Sequence, residues 1–151
     1  MLYEDDPEYG LLLKLLMVAV PGLSLAGSIY LWLSGETSGS LTLLAEAFII
    51  AGTFSAILPR KYQVYEDHLR VVLGGPLSVK AGYEAIKEVR VTRMPLLTMN
   101  FVTRMARRHV VIVRKRGMSI AITPRDNDEF AAAANRAMTE WAKARGSGKE
   151  Q

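Results

Sequence analysis

The sequence contains no cysteine and only two histidines, His68 and His109. Without cysteine, disulfides, thiolate zinc sites, iron–sulfur clusters and cysteine nucleophiles are all excluded. Two histidines in separate parts of the chain also argue against a histidine-rich metal site. The sequence therefore predicts that the protein holds neither a metal nor a cofactor.

Charged residues are scarce in one third of the chain. Residues 11–58 hold only Lys14, Glu36 and Glu46, whereas residues 59–151 hold 18 Lys and Arg against 9 Asp and Glu. Such a separation of apolar and basic sequence is typical of a membrane anchor joined to a basic domain.

Two long apolar runs predict two transmembrane helices, at residues 11–33 and 41–58. A helix rises about 1.5 Å per residue, so about 20 apolar residues cross a hydrocarbon core about 30 Å thick. The short polar segment between them, residues 34–40, has no basic residue and is predicted to be an external loop. The acidic start of the chain and the length of the first run argue against a signal peptide. A buried hairpin of a soluble protein is the alternative, and it is disfavoured because both runs are long enough to span.

The basic residues predict the orientation of this hairpin. Arg60 and Lys61 directly follow the second run, and the other downstream cations lie on the same side. The positive-inside rule therefore predicts that residues 59–151 are cytoplasmic. Two spans return the N-terminal tail, residues 1–10, to that side, so both termini are expected in the cytoplasm.

Glu46 is the only carboxyl residue inside a predicted span. Because it lies about a turn and a half after Leu41, we interpret it as a residue near the outer headgroups that stays hydrated. A proton or partner contact within the membrane is the alternative. Small residues at 22–27 and 51–56 predict close packing of the two helices, or contact with another membrane protein.

Short alternating runs after residue 61 predict strands, and the chain ends on one amphipathic helix. Asp126 and Glu129 form a capping-box-like start for this helix, and residues 146–151 are predicted to be a flexible tail. The predicted strands are 62–66, 68–74, 77–80, 86–93, 109–115 and 118–123. The predicted apolar face of the helix consists of Phe130, Ala134, Ala137, Met138 and Trp141.

These patterns resemble bacterial pleckstrin-homology (PH)-like domains over about residues 60–142. The segment YQVYEDHLRVVLGG, followed after a short link by GYEAIKEVRV, is similar to the opening of such domains. The segment HVVIVRKRGMSIAITPRDNDEFAAAANRA is similar to their basic hairpin, last strand and capping helix. The resemblance implies a bacterial cytoplasmic (inner) membrane protein with a PH-like domain at residues 59–145. The expected fold class is a membrane α-helical hairpin plus an α+β domain, in which six to seven antiparallel strands form a strongly bent sheet or half barrel capped by a C-terminal helix.

No pattern in the sequence indicates catalysis. The chain has no Gly-rich phosphate loop, GxSxG or HExxH motif, so we do not expect an enzyme. Eukaryotic relatives of the resembled family bind phosphoinositides through basic residues that flank the first strand-to-strand loop. Here that loop is Glu66-Asp67-His68, and repulsion from its two carboxylates argues against such binding.

A dense group of basic residues predicts contact with anionic phospholipid headgroups, where each cation contributes about 1 kcal/mol. A surface that only sets topology and solubility is the alternative. Nucleic acid is not expected, because no aromatic residues interleave with the arginines. The predicted lipid-contact residues are Arg104, Arg107, Arg108, Arg114, Lys115 and Arg116.

A methionine-rich apolar segment, residues 94–106, predicts a contact surface for a partner protein. An edge strand and its loop that contribute to the core are the alternative. The predicted contact residues are Leu96, Leu97, Met99, Phe101 and Val102. We therefore expect a non-enzymatic, membrane-anchored interaction or scaffold module that assembles with or regulates another integral membrane protein or complex. A lipid-binding or membrane-sensing module is the alternative, and a homo-oligomer is possible with either.

Overall fold

The structure is a computed structural model that describes residues 1–93, 98–101, 103 and 108–147, with the backbone alone described for 98–101 and 147. The described chain contains three α-helices and eight strands. In chain order these are β1 (Tyr3–Asp5), α1 (Leu11–Leu33), α2 (Thr37–Ile57), β2 (Pro59–Val64), β3 (His68–Leu73), β4 (Ser78–Gly82), β5 (Ile86–Thr92), β6 (Thr98–Phe101), β7 (His109–Arg114), β8 (Ser119–Ile122) and α3 (Asn127–Ser147), with a short 3-10 turn at Tyr83–Ala85.

The helices α1 and α2 form a hairpin that packs through small residues. The Ser28 hydroxyl donates a 2.8 Å hydrogen bond to the backbone carbonyl of Ser40, and both serines are buried. A Cβ atom at Gly27 would lie 3.0 Å from the Leu43 side chain, so glycine permits the close approach of the two helices there. The buried serines of the two helices therefore hydrogen-bond to each other within the hairpin, and the other faces of both helices point outward.

Most of the hairpin surface is not covered by the rest of the protein. Both helices are long and apolar enough to cross a membrane, yet only 6% of the apolar stretch of α1 and 11% of that of α2 are buried. Large apolar side chains such as Leu23 and Phe48 are more than 70% exposed. A surface of this kind is suited to lipid or to another apolar partner.

The strands form two four-stranded sheets. The first sheet has the order β1-β2-β3-β4 and is antiparallel throughout. The second has the order β5-β7-β8-β6, in which β6 runs parallel to β8. The expected C-terminal helix is confirmed, and so is the antiparallel arrangement for every described strand pair except β6 with β8. The strand count differs from the expected six to seven, because eight strands are described and they form two sheets. Within the described residues these sheets do not close into a barrel. The additional strand β1 precedes the hairpin, where sequence analysis expected only a tail.

The core lies between the sheets and α3. Its largest buried side chains are aromatic and β-branched residues of the strands, with Phe130 of α3 placed edge-on to Tyr62 at 6.2 Å between ring centroids. The predicted face of α3 is confirmed, since Phe130, Ala134 and Ala137 are buried and Met138 and Trp141 are partly buried. The helix is capped as expected: the Asp126 carboxylate accepts hydrogen bonds from the amides of Asp128 (3.1 Å) and Glu129 (2.9 Å).

A close backbone contact joins the sheets to the hairpin. The Gly74 amide, in the turn after β3, donates a 3.0 Å hydrogen bond to the carbonyl of Leu58 at the end of α2. A Cβ atom at position 74 would lie 1.4 Å from the Ser55 carbonyl oxygen, so only glycine fits. The turn between β3 and β4 therefore lies against the last turn of α2.

Candidate functional site

The domain has two ends, which we define by their position relative to the hairpin. At the hairpin end, the Gly10 amide, one residue before α1, donates a 2.9 Å hydrogen bond to the carbonyl of Thr103. The Glu8 amide donates a 3.1 Å hydrogen bond to the carbonyl of Thr123, directly after β8. At the far end, the Lys115 amide donates a 2.8 Å hydrogen bond to the carbonyl of Ala85. Strand β7 runs from the hairpin end to the far end. Val110, near its start, pairs with Ile122, the last residue of β8, and the end of β8 lies at the hairpin end.

The predicted lipid-contact residues are distributed over both ends. Arg108 lies at the hairpin end, directly before β7, and its guanidinium binds the Asp128 carboxylate at 2.7 and 3.0 Å. Arg114, Lys115 and Arg116 lie at the far end, where β7 finishes and turns. Five strand residues lie between Arg108 and Arg114, so six steps along the strand place their backbones about 20 Å apart. Arg104 and Arg107 lie outside the described residues. The basic residues that are described therefore form two groups rather than one surface.

The predicted partner-contact segment includes the outer strand of the second sheet. Met99 and Phe101 belong to β6, where they align in parallel with Ile120 and Ile122 of β8. Their backbone is described and their side chains are not, while Leu96, Leu97 and Val102 lie outside the described residues. An edge strand is the alternative interpretation of this segment, and β6 occupies the edge of the second sheet.

Residues 2–10 form a structural element that sequence analysis did not predict, which we call the N-terminal strap. The strap contributes β1 to the first sheet, where Tyr3 aligns with Val64 and Glu4 with Gln63. The Tyr3 ring lies edge-on to the ring of Phe130 at 6.1 Å. Burial and the nearby Asp5 carboxylate raise the pKa of Tyr3 to about 12, so its hydroxyl stays neutral.

Polar contacts hold the strap on both sides. Toward the first sheet, the Glu4 carboxylate pairs with Lys61 and accepts a 2.6 Å hydrogen bond from Gln63, and these contacts lower the pKa of Glu4. Toward α3, the Asp5 carboxylate accepts a 2.9 Å hydrogen bond from the amide of Asp126. The Thr103 hydroxyl donates a 2.7 Å hydrogen bond to the carbonyl of Glu8. The strap therefore joins the first sheet, the helix cap and the end of the second sheet.

The strap carries only a weak sequence signal. Its one alternating stretch is three residues long and is surrounded by acidic residues and Pro7. Such composition favours a solvated tail. Its partners are also far away in sequence, because the hairpin separates β1 from β2.

Glu46 lies on the outer side of α2, away from α1. The helix begins at Thr37, four residues before the apolar run used to place it, so Glu46 is the tenth of 21 residues. It is therefore about 14 Å from the start of the helix and about 17 Å from its end. Its side chain lines a shallow groove together with Ser38, Leu41, Thr42, Ala45 and Ile49.

The histidines do not assemble a reactive site. His68 Nδ1 lies 2.6 Å from a carboxylate oxygen of Asp67, and its ring stacks on Tyr65 at 4.6 Å. The His68 contact lowers the pKa of Asp67. His109 is buried at the start of β7. Among the residues that the structure describes, no three His, Cys, Asp or Glu side chains cluster in a way that would hold a metal ion.

A family model described as a bacterial PH domain matches residues 60–136, which is about half of the chain. Neither a curated protein nor a solved structure gives a significant match. The matched region begins inside β2 and ends within α3, so the strap and the hairpin lie outside it.

Proposed function

Because the chain belongs to the bacterial PH domain family, we propose that it is a non-enzymatic, membrane-anchored interaction module that assembles with or regulates another membrane protein. PH domains are typically non-catalytic interaction modules. In this proposal the hairpin of α1 and α2 spans the bacterial cytoplasmic membrane and holds the PH domain at its inner face. The proposed contact residues are Leu96, Leu97, Met99, Phe101 and Val102, of which Met99 and Phe101 belong to the edge strand β6.

The observation that carries the proposal is the pairing of β1 with β2. These strands flank the hairpin in sequence and belong to one sheet. If α1 and α2 each cross the bilayer, both strands have to lie on the same side, which agrees with the topology expected from the positive-inside rule. The pairing also supports a rigid joint, since the domain is attached to the hairpin through both the strap and the start of β2.

A rigid joint is useful for an interaction module but not for a simple tether. A flexible linker would let the domain sample many orientations at the membrane surface. Two attachment points and the contact of Gly74 with Leu58 restrict that freedom. The domain would then present one defined face to a membrane partner, so that less conformational entropy is lost on binding.

Affinity purification of the tagged full-length chain in mild detergent tests the proposal. We expect a stoichiometric membrane protein to co-purify. The combined substitution Leu96→Ala, Leu97→Ala and Phe101→Ala should abolish recovery of this partner. The Tm of the domain should stay unchanged. Met118→Ala is the matched control, because Met118 is an exposed apolar residue at the far end and is 55% exposed. Unchanged recovery with the triple variant would reject this contact surface.

Binding of anionic lipid is the second candidate function. The observation that favours it is the position of Arg60, whose guanidinium lies 3.4 Å from the Ser55 hydroxyl in the last turn of α2. A cation at this point would lie at headgroup depth if α2 spans the membrane. The proposal predicts that phosphatidylglycerol raises the Tm of the full chain in detergent more than phosphatidylcholine does, and that salt removes the difference. An equal effect of the two lipids would reject it.

A further inference from the structure

The turn between β3 and β4, residues 74–77, is apolar and exposed, and we call it the apolar turn. Its sequence is GGPL, and the longer stretch of residues 71–79 contains no charged residue. Residues 75–77 are exposed, and the Leu77 side chain belongs to the large apolar residues that the rest of the protein leaves uncovered. The apolar turn therefore offers a proline and a leucine to whatever surrounds it.

The two other turns that join consecutive paired strands of the described chain have the opposite character. The turn between β2 and β3 carries Glu66 and Asp67, and the turn between β7 and β8 carries Lys115 and Arg116. Both lie at the far end: strand β3 separates the first of them from the apolar turn, and the second follows the end of β7. Charged turns are suited to water. The turn without charge is the one that lies next to the hairpin.

The apolar turn lies at the depth of the last helical turn of α2. The Gly74 amide donates its hydrogen bond to the Leu58 carbonyl, and a Cβ atom at position 74 would meet the Ser55 carbonyl oxygen. Ser55 precedes the last residue of the helix by two positions, about 3 Å along the axis. With 21 residues, α2 is about 32 Å long, which matches a hydrocarbon core about 30 Å thick. If α2 spans the bilayer, the apolar turn lies at the inner edge of the hydrocarbon core.

Two polar side chains mark the same depth independently. The Arg60 guanidinium lies 3.4 Å from the Ser55 hydroxyl, and an arginine stays charged and has to reach water or phosphate. The Tyr9 hydroxyl donates a hydrogen bond to the Pro59 carbonyl, and tyrosine is enriched where hydrocarbon meets headgroups. The level of Ser55 is therefore the boundary between acyl chains and headgroups.

We propose that the apolar turn inserts into the inner leaflet at this boundary, with Pro76 and Leu77 in contact with lipid. This inference rests on the membrane-anchored arrangement proposed above. The occupant is lipid because the turn packs against a helix segment that the bilayer surrounds. Ile57, in the same last turn of α2, is likewise apolar and exposed.

Insertion gives the domain a third attachment to the membrane. The strap and the start of β2 are covalent connections to the two helices, whereas the apolar turn contacts the lipid itself. The tilt of the domain against the bilayer is then set by lipid as well as by the hairpin.

The absence of native cysteine allows a single fluorescent label to report its depth. The single variants are Leu77→Cys, Met118→Cys and Phe48→Cys, each labelled with a thiol-reactive fluorophore. Met118 is the matched control, because it is apolar, lies at the far end and is about as exposed as Leu77. Phe48 is the twelfth of the 21 residues of α2 and is exposed, so it reports whether this helix spans the bilayer. The full chain is reconstituted in phosphatidylcholine–phosphatidylglycerol vesicles that contain lipid with a nitroxide at a shallow or a deep position of the acyl chain.

We expect nitroxide lipid to quench the Leu77 label by several times the fraction that the Met118 label loses. The shallow nitroxide should quench the Leu77 label more than the deep one does, and the order should be reversed for the Phe48 label. Quenching at Phe48 without quenching at Leu77 would overturn the inference and leave the spanning hairpin intact. No quenching at either position would reject the membrane-anchored arrangement and the inference together.

A second variant tests whether the apolar side chain holds the turn in lipid. The label is placed at Pro76→Cys, and Leu77→Asp or Leu77→Ala is added to it. The aspartate puts a charge at the boundary, so quenching should fall close to that of the Met118 label, whereas the alanine should retain most of it. Because residue 77 is exposed, near-UV circular dichroism in detergent should be the same for both variants. Equal quenching of the two would overturn the role of Leu77.

A photoreactive label at position 77 in native membranes separates lipid from protein as the occupant. We expect its adducts to be phospholipid. Adducts with another protein would overturn the inference and support the interaction module, so the two proposals fail separately.

Discussion

Glu4 and Gln63 lie side by side in the first sheet, although 59 positions separate them in the sequence. Gln63 Nε2 donates a 2.6 Å hydrogen bond to the Glu4 carboxylate, which also pairs with Lys61. All of the hairpin lies between the two partners in the chain. The PH domain of this protein is therefore completed by a segment that precedes the hairpin and that the family match does not include.

The first prediction concerns the strap and the core. Tyr3→Ala removes the ring that packs edge-on against Phe130, so we expect the free energy of unfolding to fall by about 1–3 kcal/mol. Leu2→Ala is the matched control, since Leu2 is adjacent but 51% exposed, and it should have little effect. Thermal unfolding of the full chain in detergent, followed by near-UV circular dichroism, measures both variants. Equal stability of the two would show that the strap does not support the core.

The second prediction concerns pH. The pKa of Glu4 is lowered by the hydrogen bonds from Lys61 and Gln63, so its contribution to stability is present above the ordinary pKa of a glutamate. That contribution is lost as the pH falls through the lowered pKa. Glu4→Gln should therefore be less stable than the natural chain at neutral pH and approach it in acid. A stability difference between the two that does not change with pH would contradict this account.

The third prediction concerns the joint between hairpin and domain. Gly74→Ala places a methyl group where the Ser55 carbonyl oxygen lies, so the turn has to move away from α2. We expect a loss of stability and faster proteolysis at the joint. Gly146→Ala serves as the control, because no atom lies within 4 Å of the added group. Limited proteolysis and thermal unfolding compare the cleavage rates and Tm values of the two variants. Equal values would show that the contact between the turn and α2 is not needed for stability.

The fourth prediction concerns the start of α3. Asp126→Ala removes the carboxylate that accepts hydrogen bonds from the amides of Asp128 and Glu129, at a cost of about 0.5–2 kcal/mol. Asp128→Ala removes the ion pair between Asp128 and Arg108. Both side chains of this pair are well exposed, so its loss should reduce the free energy of unfolding by less. Chemical unfolding of both variants tests which substitution lowers the free energy of unfolding more. A larger loss with Asp128→Ala would show that the ion pair outweighs the cap.

The site residues stay predictions, but the structure shows positions for some of them that their spacing in the sequence could not give. Arg108 and Arg114 are close in sequence, which alone favours one basic surface. Strand β7 extends between them and carries them to opposite ends of the domain, since a strand rises about 3.3 Å per residue. Glu46 was expected near the headgroups because the apolar run begins at Leu41. Helix α2 also includes the polar residues from Thr37 onward, and this moves Glu46 to the middle of the helix.

The sequence by itself determined the two apolar helices, the six alternating strands, the capped C-terminal helix and the PH family. Each depends on a local period or on residue types close together in the chain, so neighbouring residues are enough to specify it. Only the tertiary structure decided the pairing of β1 with β2, the parallel alignment of β6 with β8 and the division into two sheets. These depend on which distant segments meet, and a strap of a few acidic and aromatic residues forms a strand only because β2, Phe130 and the cap of α3 supply its partners.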